Sequence, residues 1–415
     1  MDRSSPREET LTLPPKPAGM ALVVLALCFA QAVLGRGLSE SFTVFLKPIS
    51  ANFGWDRAAV VSVYSLTWLA SGLTAPVVGR VFDRSGPRAV YSLGIFLLGA
   101  AFLIAAYAQH LWQLQLSIGL CVGFGAALIG NVPNSILLGR WFGPRLPTAM
   151  AVVYSAMGGG VLILLPTSQL LIDQLGWRGA YQIFGAIVLA LLVPLSLLPW
   201  RRFAAGAPHV MKKVQDDRAE DGWTLLTAVR HHAFWALFST FFFTAVGMYA
   251  ISAQIVAYLI DAGFPPLQAA TAWGFSGVVL LFGMLGVTSL DGLIGRRPSV
   301  LISYAVSIVG ILLLWLIQFY PNYWLLTAFV VTFGSMIGSR GPLITATAIK
   351  LFRGKRVGTI FGTISIGSGL GSALGSWSGG LLHDFTHSYN QLIVFSLINL
   401  VLGMLPFLVV PALRR

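Results

Sequence analysis

Apolar residues run through this chain in long, nearly uninterrupted stretches rather than at the spacings of half-buried elements. About 20 mainly apolar residues are needed for a helix to cross a bilayer. Twelve stretches reach that length: 19–46, 57–80, 89–108, 112–139, 147–172, 179–199, 232–260, 267–290, 298–319, 323–349, 356–382 and 389–411. Their continuity predicts helices and not barrel strands, because in hydrocarbon each backbone polar group must be satisfied within its own segment. One long polar interruption, 200–230, divides the twelve spans six and six. The expected organisation is a disordered polar tail over 1–17, a bundle over 18–200, a linker over 201–230 and a second bundle over 231–415. The tail is not expected to be a signal peptide, since the apolar segment behind it is too long and has no clear cleavage pattern. The fold class predicted is all-α membrane protein, with twelve transmembrane helices in two pseudo-symmetric six-helix bundles.

The halves repeat. Displacing the chain on itself by 208 to 211 residues brings Gly54-Trp55 onto Gly263-Phe264, and Asp83, Gly86 and Arg88 near Asp291, Gly295 and Arg297. It also brings Pro133 onto Pro342, Gly158 onto Gly369 and Asp173 onto Asp384. A near-constant offset across several helix pairs is the mark of an internal repeat. Two parallel six-helix halves around a central pathway are one of the designs of secondary transporters.

Composition agrees. Of 415 residues, 56% are hydrophobic and 10% charged, against about 25% charged in soluble domains. Cys28 and Cys121 lie in apolar stretches and imply no disulfide framework. The net charge of +13 does not point to nucleic acid, because it is distributed by topology. With the N-terminus inside, every Lys and Arg except Arg36, Lys47, Arg57, Arg178 and Arg340 falls in inside loops and tails. Both termini are therefore expected in the cytoplasm of a multi-pass protein of the cell (inner) membrane. No metal cluster pattern or nucleotide-binding loop is present, so no cofactor is expected.

The connection after the second span reads Gly79-Arg-Val-Phe-Asp83-Arg-Ser-Gly86-Pro-Arg88. It resembles the G-x-x-x-D-x-x-G-x-R loop motif of the major facilitator superfamily. The later copy, Asp291 to Arg297, has one inserted residue and lacks the first glycine. The resemblance implies a conformational latch formed by Gly79, Asp83, Gly86, Arg88, Asp291 and Arg297. Asp83 would face a helix N-terminus, whose dipole favours an anion, and the arginines would pair with acids across the seam between bundles. A narrower resemblance is to the monocarboxylate-porter and oxalate–formate-antiporter branch. It rests on Phe45-Leu-Lys47-Pro48 through Gly54-Trp55-Asp56-Arg57-Ala58, and on Arg140-Trp141-Phe142-Gly-Pro-Arg145 with Gly158-Gly159-Gly160. That branch often carries a substrate-binding basic residue in span 8 or span 11. Here those spans hold no Lys or Arg in their cores, and the cation is in span 10.

Charges inside spans need a reason, since each costs at least about 2.5–3.5 kcal/mol on insertion scales. Arg340, in Gly338-Ser339-Arg340-Gly341-Pro342, is the principal substrate-binding candidate, with neighbours that permit backbone distortion. It either binds the anionic group of a solute or is a structural arginine paired with carbonyls or an acid of another helix. Arg36 and Glu40, four residues apart, share a face of span 1. Arg36 is a second anion contact and Glu40 a proton carrier, or the two form an ion pair near the outer interface. Asn131, Asn134, Tyr64, Trp68, Tyr154, Tyr249 and Gln254 are further substrate-binding candidates. Asp173, Asp261 and Asp384 sit near outer helix ends, where solvation or capping is expected, and Lys47 is expected at the interface. Gly367, Gly371, Gly375 and Gly379 form a smooth ridge for helix packing.

The expected function is secondary transport of a small organic anion, a mono- or dicarboxylate, by alternating access with proton coupling through Glu40. Its partners are that solute, protons and the lipid bilayer, and a monomer is expected. The alternatives are proton-driven efflux of a drug or hydrophobic metabolite, and a transporter-like membrane sensor. Span 5 lacks the full glycine-proline pattern of drug antiporters, and 200–230 is short for an effector domain. No catalytic cluster supports an enzyme.

Overall fold

The computed structural model describes residues 19–207, 223–352 and 357–413. The expected tail 1–17, the linker residues 208–222 with Lys212, Lys213 and Arg218, and the basic residues Arg353, Lys355, Arg356, Arg414 and Arg415 lie outside the described residues. Among the described residues there is helix and no strand. The principal helices are α1 Gly19–Phe53, α2 Arg57–Ala106, α3 Leu111–Phe142, α4 Thr148–Leu197, α5 His232–Asp261, α6 Pro266–Ile294, α7 Arg296–Ile317, α8 Tyr323–Gly334, α9 Gly341–Leu351, α10 Val357–Thr386 and α11 Asn390–Val409. Eight of them, α1 to α7 and α11, are long and apolar enough to cross a membrane. Large apolar side chains such as Leu73, Phe96, Ile104 and Leu285 stay exposed on their outer faces. In water such a surface would drive aggregation, so the chain is a multi-pass membrane protein.

Helices α2 and α4 are 50 residues each. A straight helix of that length would extend about 75 Å, more than twice the roughly 30 Å of hydrocarbon. Both break instead, at Gly86 (φ 75°, ψ 170°) and at Gly176 (φ 70°, ψ 170°). The expected loop at 81–88 is therefore mostly helical. The helix runs through Asp83 and leaves helical geometry only at Gly86, which alone can adopt this φ without strain. Pro87 follows at a position where its missing N–H costs nothing. Gly295, 209 residues later, has nearly the same backbone (φ 85°, ψ 168°) between α6 and α7, so the sequence repeat is also a repeat of backbone geometry.

Two helices are interrupted inside the molecule. α3 loses helical geometry at Ile129 and Gly130 and resumes at Asn131. The span expected over 323–349 is split: α8 ends, residues 337–340 form a turn with Gly338 at φ 79°, and α9 starts at Gly341. These breaks also stand about 210 residues apart. Irregular backbone at membrane depth is tolerated only within protein or against a water-filled cavity.

The buried apolar side chains form two clusters. One draws on residues 24–203 with Ala253 and Ala257, the other on residues 228–413 with Val44, Val161 and Leu165. The glycine ridge of α10 lies within the second cluster, where Gly371 and Gly375 sit against backbone carbonyls of Phe242 and Val246 on α5. Between the clusters, α2 crosses α10 at Gly72 and Gly369, and α4 crosses α6 at Gly158 and Gly277. A Cβ on Gly277 would collide with the Gly158 carbonyl. Gly277→Val is expected to cost about 1–3 kcal/mol through overpacking and to lower the apparent melting temperature of the purified protein. An unchanged melting curve would contradict the close crossing.

Candidate functional site: a chamber sealed at one end

A chamber of about 460 Å³ lies between the two clusters. Both helix breaks open onto it, through Gly130 and Asn131 on one side and Gly338, Arg340 and Gly341 on the other. The N-termini of the helical pieces Asn131–Phe142 and α9 thus border the chamber, which places the positive ends of two helix dipoles there.

Arg340 lines this chamber and is 3% exposed. Its Nε donates to Ser303 Oγ at 2.9 Å, and one terminal nitrogen donates to the Ser303 carbonyl at 2.6 Å and Ser307 Oγ at 2.5 Å. The guanidinium lies 4.0 Å from the centre of the Tyr304 ring. All these partners are on α7 and all are neutral. They fix the guanidinium without cancelling its charge, and its Nη1 has no hydrogen-bond partner among the described residues. The expected alternatives therefore combine: α7 holds the side chain as a structural arginine would be held, yet no carboxylate among the described residues pairs with it.

The second cation is arranged differently. Arg36 pairs with Glu40 at 2.7 Å, donates to Tyr249 Oη at 3.2 Å and lies 4.8 Å from the Trp68 ring centre. Glu40, 4% exposed, also accepts from Tyr64 Oη at 2.7 Å. The pair between positions 36 and 40 forms, but in the interior and not by snorkelling to an interface. It sits where the chamber closes, with Arg36 and Tyr249 on its wall and Trp68 packed edge-on against Tyr249.

Beyond this floor the seam is sealed by charge. Asp261 of α5 pairs with Lys47 of α1 at 2.5 Å and with Arg57 of α2 at 2.6 Å. Tyr389 Oη donates to Asp261 at 2.6 Å and is itself bonded by Arg57. Asp384 of α10 accepts from the backbone N–H groups of Arg57 at 3.1 Å and Ala58 at 2.6 Å. Asp56, the residue that precedes α2, makes no capping bond of its own. The N-terminus of α2 is capped by an acid from the other half of the chain, where its dipole favours a carboxylate.

A sequence model of the Major Facilitator Superfamily matches residues 25–376 and again 290–415. The chain belongs to the major facilitator superfamily. Among its relatives, an uncharacterised MFS-type transporter of Bacillus subtilis (strain 168) is 25% identical over 400 residues, covering 94% of this chain and 96% of the relative. Monocarboxylate transporter 3 of Rattus norvegicus is 29% identical over 335 residues, 79% of this chain and 67% of the relative. Monocarboxylate transporter 12 of Mus musculus is 27% identical over 405 residues, 90% and 82% respectively. The superfamily consists of transporters rather than enzymes.

In this superfamily member the expected site residues divide. Arg340, Arg36, Asn131, Trp68, Tyr154 and Tyr249 line the chamber. Tyr64 lies behind the wall, bonded to Glu40. Asn134 was expected on the wall, but it is fully buried and bonded to Tyr91 Oη at 3.0 Å and the Ile129 carbonyl at 3.2 Å, bracing the break in α3. Gln254 is also off the wall, buried within α5 beside Gly379. Among the described residues, the ion pairs of the latch motif stay within each half. Asp83 is 3.8 Å from Arg140 in its own half, and Asp291 is 3.7 Å from Arg296, not Arg297, in its own half. Gly79 is partly buried, and Arg88 and Arg297 are exposed. Arg140-Trp141 instead pins the start of the linker: Arg140 donates to the Ala204 carbonyl and Trp141 Nε1 to that of Phe203. The cross-half ion cluster stands at the opposite end, built from Lys47, Arg57, Asp261 and Asp384. Its signal in the sequence was Lys47 and Arg57, two of the five basic residues left outside the inside loops.

Proposed function

We propose that this chain is a secondary transporter of a small organic anion, a carboxylate, working by alternating access between two pseudo-symmetric six-helix bundles of twelve spans. The two 50-residue helices each supply two spans, and the pieces over 323–351 and the helix α10 supply the tenth and eleventh. One observation carries the anion reading: Arg340, buried on the chamber wall, has only neutral partners among the described residues. A buried cation is costly unless paired, and an incoming carboxylate supplies the missing charge through a charge-assisted bond. The half-helix N-termini at Asn131 and Gly341 add to the same field. Relatives named as monocarboxylate transporters support this reading.

With basic loops inside, the ion cluster at Lys47 and Arg57 closes the outer end and the chamber faces the cytoplasm. In the reverse state that cluster parts and the motif end closes, with Asp83, Arg88, Asp291 and Arg297 as candidates for the inner latch. The Arg36–Glu40 pair couples protons. A proton on Glu40 cancels its charge and frees Arg36 for the solute. Saturable uptake of radiolabelled carboxylates into proteoliposomes tests the function; transport of lipophilic cations with no carboxylate flux rejects it. Glu40→Gln keeps a hydrogen bond to Tyr64 but carries no proton. It is expected to retain carboxylate exchange and lose accumulation driven by a pH gradient. Full gradient-driven accumulation in that variant would remove Glu40 from the coupling step.

A further inference from the structure

The polar groups of the chamber wall are of two kinds. Some satisfy themselves: Ser39 donates to the Gly35 carbonyl, and Thr67 to those of Val63 and Ile118. Gln31 does not. It lies on α1, lines the chamber at 2% exposure, and neither Oε1 nor Nε2 has a partner among the described residues. Trp68 Nε1, on the same side of the chamber, is likewise without a partner. An unpaired buried amide weakens a fold, and a leucine would fill the same volume without that cost. The remaining wall is largely apolar, with Met157, Phe241, Met248, Ile344 and Phe361 facing the space.

We propose that Gln31 is a specificity-determining residue that hydrogen-bonds an uncharged oxygen-bearing group on the apolar body of the solute. This rests on the reading that the solute's carboxylate meets Arg340. An amide offers two donors and an acceptor and no charge, so it matches a hydroxyl, carbonyl or amide without the uncompensated charge that a second buried carboxylate would bring. Trp68 Nε1 supplies one more donor. The solute class is thus a monocarboxylate with an apolar body and a neutral polar substituent. A chamber of about 460 Å³ admits such a molecule with an aromatic or branched body.

The test compares binding of 3-phenylpropanoate, 2-hydroxy-3-phenylpropanoate, 3-(4-hydroxyphenyl)propanoate and phenylsuccinate to the full chain in nanodiscs. In the wild type at least one hydroxylated acid is expected to bind about tenfold tighter than 3-phenylpropanoate, as one well-made hydrogen bond allows. Phenylsuccinate is expected to bind more weakly than that acid. In Gln31→Leu, and in Gln31→Met as a second variant, the preference is expected to fall to within about twofold while 3-phenylpropanoate is unaffected. The unliganded Gln31→Leu protein is expected to melt no lower than the wild type, because an unpaired amide has been removed. A preference that persists in both variants, or a lowered melting temperature with the preference intact, overturns the proposal. So does the absence of any preference in the wild type. Binding of acetate or oxalate but none of these acids overturns it and leaves the transporter reading standing. Binding of no acid at all overturns both.

Discussion

Arg340→Ala is expected to abolish measurable uptake of carboxylates at micromolar concentration. Truncating one partner of a buried, hydrogen-bonded charge pair costs about 2–5 kcal/mol, which is a loss in affinity from about 30-fold to a few thousand-fold. Arg340→Lys keeps the charge but not the planar fork. A lysine ammonium cannot hold Ser303 and Ser307 while leaving a further N–H unpaired in the same geometry. It is expected to recover part of the binding and little of the rate. Uptake by variant proteoliposomes, normalised to reconstituted protein, checks both. Unaltered affinity and rate in the two variants would reject Arg340 as the anion site. The fold should tolerate the change, since Tyr304 is also held by Thr244, at 2.5 Å, and the seam glycines are untouched.

Asp261→Asn is expected to open the far end. Asp261 is the acid on which Lys47, Arg57 and Tyr389 converge. The Lys47 contact is about one-third exposed and contributes little. The Arg57 side chain is 17% exposed and contributes more. A combined loss of about 1–3 kcal/mol from the sealed state corresponds to a shift of about 5- to 150-fold in the balance between sealed and open forms. Spin labels at Leu175→Cys and Leu267→Cys, in a background lacking Cys28 and Cys121, lie on opposite sides of the seam near this end. Their distance distribution should gain a longer component in Asp261→Asn, and more so in high salt, where the residual ion contacts are screened. Identical distributions in the two proteins would show that this cluster does not hold the seam closed.

Much of the architecture was legible because the bilayer writes it into composition. Spans must be long, and basic residues must be placed by topology, whatever the tertiary contacts. The chamber cation was legible for the same reason: Arg340 is too costly in hydrocarbon to be accidental, and Gly338, Gly341 and Pro342 announced the broken backbone around it. What a single chain cannot display is pairing over distance. Asp384 reads as a helix-end acid, and it does cap a helix, but one that begins 327 residues earlier. Asn134 reads like Asn131, three residues before it, until Tyr91 is seen to hold it within the packing of its own half. Gln31 reads as an ordinary span polar residue. Only the bonds made by its neighbours reveal that nothing among the described residues answers it. The motif at Asp83 was found by its spacing, but spacing carries no information about which conformational state the contacts serve.

In the proposed function, an uncompensated cation between the bundles selects negatively charged cargo. The most direct measurement is ligand-induced thermal stabilisation of the wild-type protein by carboxylates and by the primary amides of the same acids, matched in shape and differing in charge. Some carboxylates are expected to raise the melting temperature with concentration, as binding to the folded state requires, and their amides are not. Equal stabilisation by acid and amide, or stabilisation by organic cations with none by any acid, would contradict it.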